Sequence, residues 1–139
     1  GFVDAHKKLK LKLNSGQIIT SNFSMEDGEH IAESLIENNT LPDAIFAAND
    51  QLAIGAMSIF KKHGYKVPED IGFVGFSESK IASLISPPLT SVKQPTYKIG
   101  REAAKMLIEK IEDENNQSLN TLILDGELNI RASSKKKSQ

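Results

Sequence analysis

The sequence contains no cysteine and no tryptophan. Without a thiol, disulfide staples, thiolate catalysis and Cys-based zinc sites are excluded, and the chain suits a reducing compartment. No apolar run approaches the roughly 18 residues of a membrane helix. The first residues also lack the charged-then-apolar order of a signal peptide. Charge of one sign is missing too. Lys and Arg number 17 against 18 Asp and Glu, a formal net charge of −1, which leaves no basic footprint for nucleic acid. The one basic cluster, Lys135-Lys136-Lys137, reads as a solvated tail rather than a nucleic-acid or membrane contact. His6, His30 and His63 lack the i, i+4 partner of a helical metal pair, so no metal site is expected. Gly72 and Gly75 do not complete a dinucleotide fingerprint, and no cofactor is expected.

What is present suits one domain. At 139 residues, a chain can bury roughly 68–70% of its unfolded surface. It opens on Gly1-Phe2-Val3-Asp4-Ala5 without an initiator methionine and reads as starting partway through a helix, with an N-terminal module expected upstream. Three strand-then-helix units follow. Gln17 to Thr20 is a short β-branched run, and Ser24 with Asp27 has the spacing of a capping box for a helix bearing Ile31, Ala32, Leu35 and Ile36. Ala44 to Ala48 is a buried strand leading into a helix that stops at Gly64. Ile71 to Phe76 is a third strand, with a shorter helix from about Ser79 to Ile85 after it. Alternation of this kind predicts right-handed crossovers and a parallel sheet, and near-continuous apolar strands predict helices on both faces.

After Ser86-Pro87-Pro88 the rhythm changes. Leu89 to Lys93 is extended, and a long helix from Thr96 to Glu112 carries Ile99, Ala103, Leu107 and Ile111 on one side. A polar loop is expected from Asp113 to Asn120. Thr121 to Leu124 and Glu127 to Ile130 then read as two strands around the Asp125-Gly126 turn.

The richest stretch is Asp43 to Met57, DAIFAANDQLAIGAM. An apolar strand ends on Asn49 and Asp50 at the mouth of a helix, and small polar ligands bind at the carboxyl ends of strands in open α/β sheets. Asn49 could be simply an N-cap, but that role needs one of the two residues and the strand supplies both. Phe23, after one strand and before a helix cap, is either a core or staple residue or a platform for a ligand ring. Gly75-Phe76-Ser77-Glu78-Ser79 imitates the hydrolase nucleophile elbow, but the last glycine is replaced by Ser79 and no histidine lies beyond His63 to complete a triad. Ser77 and Ser79 are expected instead to cap the next helix, and the chain is not expected to be an enzyme.

Together these residues resemble the LacI/GalR family of bacterial transcription repressors. The matching blocks are LPDAIFAANDQLAIGAM (Leu41 to Met57), GYKVPEDIGFVGFSES (Gly64 to Ser79), ISPPLTSVKQP (Ile85 to Pro95) and IGREAAKML (Ile99 to Leu107), in the family's order. The resemblance implies an α/β fold, the C-terminal lobe of a two-lobed periplasmic-binding-protein-like (type I) core with a parallel sheet flanked by helices. That lobe would take residues 1–94. A crossover helix and loop, 95–120, would belong to the missing N-terminal lobe. Terminal strands would occupy 121–132 and a basic tail 133–139.

By the same resemblance, an interlobe cleft would bind a sugar-like effector. Phe23 would be the stacking aromatic, Asn49 an amide contact and Gln94 a contact at the crossover. Ser77 replaces an aspartate usual at that strand end, with the nearest carboxylate displaced to Glu78. Asn49 is then the expected ligand contact, and Asp50 the expected helix cap. A homodimer is implied, with Ile54 and Ile85 at its interface, together with operator DNA bound through a helix-turn-helix domain outside this chain. A cytoplasmic location and no membrane partner go with that reading. The alternative is a transport-linked sugar-binding protein of the same fold.

Overall fold

The computed structural model describes residues 1–112 and 121–135. Its centre is a four-stranded sheet in the order β1 (Ala44–Phe46), β2 (Gly72–Phe76), β3 (Thr90–Lys93) and β4 (Glu127–Asn129). The first three strands run parallel, with Ala44 opposite Gly72 and Val74 opposite Thr90; β4 is antiparallel, Leu128 facing Val92. The expected α/β sheet is therefore present, with one antiparallel edge strand.

Four helices accompany it: α1 (Phe2–Lys8), α2 (Met25–Glu37), α3 (Asp50–Lys62) and α4 (Thr96–Glu112). The start of α2 is set by the predicted capping box. Ser24 Oγ accepts the Asp27 N–H at 3.0 Å, while the Asp27 carboxylate accepts the N–H groups of Ser24 and Asn22. Three N–H donors of the first turn and its approach are thus satisfied locally. At the other end of the second unit, α3 closes at His63 and Gly64 follows as the expected stop.

The core lies between α3 and the sheet. Phe60 and Phe73 are fully buried with ring centroids 6.0 Å apart, and Tyr65 meets Phe60 edge-on at 5.6 Å. Edge-to-face aromatic pairs of this separation contribute about 0.5–1.5 kcal/mol beyond the area they bury. Helices α2 and α3 press together so closely that a Cβ on Gly55 would lie 2.1 Å from the Met25 carbonyl oxygen. No other residue fits there without the helices separating.

The C-terminal segment is fastened by hydroxyls. Ser133 Oγ accepts the Thr90 N–H at 2.8 Å and donates to the Phe73 carbonyl at 2.7 Å, and the Arg131 N–H donates to Thr90 Oγ1 at 2.8 Å. These bonds satisfy backbone groups that a buried strand end would otherwise leave unpaired.

Three sequence expectations of secondary structure are corrected. Gln17 to Thr20 forms no strand: a 3-10 turn occupies Ser15–Gln17, and β1 pairs only with β2 among the described residues. Three or four β-branched residues do not hold a ladder without a packed face, and Ile18 and Ile19 remain half exposed. The helix expected from Ser79 to Ile85 is a 3-10 turn, Lys80–Ser83, held by i→i−3 bonds from Ala82 to Ser79 and from Leu84 to Ile81. Thr121 to Leu124 forms no strand, and Ile123 is 82% exposed. The residues after the Asp125-Gly126 turn pair with β3 instead of folding back as a hairpin, since β3 offers a ready edge. Helix α4 contributes no buried residue. The loop expected from Asp113 to Asn120 and residues 136–139 of the expected flexible tail 133–139 lie outside the described residues, whereas Ser133 of that tail is buried and bonded to Thr90 and Phe73, so the expectation of a free tail is corrected there.

Candidate functional site

The carboxyl ends of β1, β2 and β3 face the same edge, and the start of α3 stands beside them. Asn49 has extended backbone (φ −150°, ψ 169°) and is the N-cap of α3: its Oδ1 accepts the Leu52 N–H at 2.8 Å. Its Nδ2 donates to the Phe23 carbonyl, also at 2.8 Å. One amide N–H and a carbonyl lone pair remain for a further partner. Asp50 does not cap the helix, contrary to the expectation from sequence. It has entered the first turn, is 1% exposed, and turns inward. The cap requires a residue still in extended conformation, which only Asn49 has.

Asp50 joins three elements. Its Oδ1 accepts the Ser91 hydroxyl of β3 at 2.6 Å and its Oδ2 the Ser79 N–H at 2.5 Å. Gly75 of β2 makes room: a Cβ there would lie 2.3 Å from Asp50 Oδ1. The buried carboxylate is thereby bonded by one donor on β3 and one in the turn that follows β2, as its burial requires.

Beyond Phe76 the backbone becomes left-handed, at φ 111° for Ser77 and φ 56° for Glu78. Ser77 is exposed and donates its N–H to the Val92 carbonyl at 2.9 Å. Glu78 donates its N–H to Ser91 Oγ at 3.1 Å. Its carboxylate meets the Arg131 guanidinium through both nitrogens of the fork, and Arg131 Nη1 also donates to the Leu89 carbonyl at 2.7 Å. Those hydrogen bonds hold the Glu78 carboxyl below the usual carboxylate range, against the opposing effect of burial. Asn129, the Arg131 charge and the Lys93 charge add smaller contributions of the same sign. The pairing also raises Arg131, so both partners stay ionised. Ser79 stands at the N-cap of the 3-10 turn but its side chain makes no capping bond, and its buried Oγ finds no partner among the described residues. The expected capping by Ser77 and Ser79 is corrected accordingly.

Phe23 is 55% exposed and held at φ 68°, its carbonyl tied to Asn49. A staple or core ring would be covered, and this one is not. Gln94 is half-buried and follows the end of β3, two residues beyond the Val92 carbonyl that accepts the Ser77 N–H. Phe23, Asn49, Ser77 and Gln94 thus share one edge of the sheet, Phe23 and Asn49 in direct contact. Ile54 and Ile85 are half-buried and pack against the core. The more open apolar side chains near Ile85 are Ile81 and Leu84, the latter 80% exposed.

Sequence reasoning missed Arg131 and Ser91. Gly75 was the available signal, since an invading side chain is one reason for a glycine inside a strand. No group of three metal-ligating side chains occurs among the described residues, and no described helix is long and apolar enough to cross a membrane.

Residues 1–134 match the model of the periplasmic binding protein-like domain. The HTH-type transcriptional repressor PurR of Haemophilus influenzae is 34% identical over 137 residues, covering 97% of this chain and 41% of that protein. A solved putative LacI transcriptional regulator from Bacillus cereus subsp. cytotoxis superposes with a TM-score of 0.88 at 32% identity, covering 97% of this chain and 48% of that one. The transcriptional regulator CelR, solved as its cellobiose complex, gives 0.86 at 30% identity, covering 96% and 40% respectively. The chain spans about two-fifths of the length of the curated relatives it matches.

Proposed function

We propose, for a chain that belongs to the LacI/GalR family of regulators through its periplasmic binding protein-like domain, that it supplies one wall of an effector-binding cleft and half of a dimer interface. Residues 1–94 act as the C-terminal lobe, and 95–120 cross to the partner lobe. The effector is a sugar or sugar derivative. The observation that carries this reading is the shared edge of Phe23, Asn49, Ser77 and Gln94, where one exposed aromatic face stands next to neutral donors and acceptors. Saccharides present that combination of apolar ring face and hydroxyl edge. A cellobiose complex among the similar structures supports the ligand class.

The mechanism is switching. An effector that bridges the two lobes binds the closed arrangement more tightly than the open one and shifts their populations by that difference in affinity. The lobes carry a DNA-binding module outside this chain, and the dimer sets the spacing of two such modules on an operator. Ile54 and Ile85, with the open Leu84 between the core and solvent, belong to the dimer face. The location is cytoplasmic, where operator DNA is found.

A thermal-shift screen of the intact protein against mono- and disaccharides and their phosphates tests the reading. Binding to the native state raises apparent stability as RT ln(1 + [L]/Kd), about 2.7 kcal/mol at a hundredfold excess over Kd. At least one saccharide is expected to raise Tm, and Asn49→Ala to reduce that rise. A full panel without a shift, or an Asn49→Ala protein with unchanged affinity, would overturn the assignment.

A further inference from the structure

Three consecutive backbone N–H groups at the end of β2 are each taken by a different acceptor. Ser77 donates to the Val92 carbonyl, Glu78 to Ser91 Oγ and Ser79 to Asp50 Oδ2, at 2.9, 3.1 and 2.5 Å. The first two residues have positive φ, a conformation that L side chains avoid and that persists only where the surroundings over-determine it. Ser91 and Asp50 are themselves bonded at 2.6 Å, so the acceptors form one unit. The turn delivers Glu78 to Arg131, whose fork takes both carboxylate oxygens while also holding the Leu89 carbonyl. Ser77 is left as the exposed side chain of the strand end.

We propose that Asp50 and the Glu78–Arg131 pair are positioning residues that lock this left-handed turn, so that the neutral Ser77 hydroxyl, and not the adjacent carboxylate, is presented at the cleft. The proposal rests on the cleft reading above for its function. Glu78 does not replace a missing strand-end carboxylate as a ligand contact, because both of its oxygens are committed to Arg131 and the backbone points it at the C-terminal segment. The strand end therefore recognises hydroxyls through a short neutral group whose place is set by two flanking carboxylates. Arg131 lies two residues beyond β4, so the same pair ties the cleft wall to the strand that returns after α4.

Amide hydrogen exchange on the intact protein, read without ligand, tests this. Glu78→Gln and Asp50→Asn are each expected to raise exchange at Ser77, Glu78 and Ser79 at least tenfold. The amides of Met57 to Phe60 in α3 should change less than twofold. Arg131→Lys keeps the charge but loses the fork, and is expected to fall between wild type and Glu78→Gln. Unchanged exchange at all three amides in both variants would overturn the proposal, and so would an equal rise in α3, which marks global destabilisation. Because no saccharide enters the measurement, a negative result here leaves the cleft reading intact. Failure of the saccharide screen would in turn leave the positioning result standing.

Discussion

Helices α3 and α4 carry similar apolar stripes and meet opposite fates. Eight of the thirteen residues of α3 are buried, from Asp50 to Phe60, and none of the seventeen of α4. Ile99, Leu107 and Ile111 of α4 are all exposed, although they recur at helical spacing as faithfully as Leu52, Ala56 and Ile59 do in α3. An amphipathic pattern records a demand for a partner and says nothing of where that partner is. For α3 the partner is the sheet and α2. For α4 the function proposed above supplies it from the other lobe, and the two helices then belong to different cores.

The largest expected effect is Phe60→Ala. Deleting a fully buried aromatic in α3 should cost about 3–5 kcal/mol, read from the urea midpoint. A loss below 1 kcal/mol would mean that the α3 core is not packed as described. Asp50→Ala follows, at about 2 kcal/mol, because the Ser79 N–H loses its partner in a buried place. The third effect concerns pH. Glu78 has a lowered carboxyl value, so its contribution is present above the ordinary carboxylate range and is lost as pH falls through the value in the folded protein. The charged and polar neighbours are Arg131, Asn129 and Lys93. Stability of the wild type should therefore decline more steeply in acid than that of Glu78→Gln, and parallel acid profiles would count against the ion pair. The smallest effect sharpens the comparison itself. Leu107→Ala in the 139-residue chain should change stability by less than about 0.5 kcal/mol, as an exposed substitution does. In the intact protein the same change should cost about 2 kcal/mol or more if α4 has a core there.

Elements long enough to show a period were legible in the sequence. The bounds of α4 agree with the Thr96 and Glu112 read from its stripe, and the Ser24–Asp27 box placed the start of α2. Short pieces were not, because a run such as Gln17 to Thr20 or Thr121 to Leu124 becomes a strand only if an edge accepts it. The site was half legible. Asn49 and Asp50 were both marked at the helix start, yet the cap falls to Asn49 and not to Asp50, since neighbouring polar residues there differ only in backbone conformation. Arg131 lies 53 residues from Glu78, and nothing local to either residue announces the other.

The contact between Gly55 and the Met25 carbonyl has a consequence for motion. Two helices with backbones in contact cannot slide without opening a void, so α2 and α3 behave as one stiff beam. Phe23 lies at one start of that beam and Asn49 at the other, pinned by a hydrogen bond. A ligand that displaced the Asn49 amide would have to carry both helices with it as one rigid body, over the roughly 20 Å that thirteen residues of α3 span at 1.5 Å each.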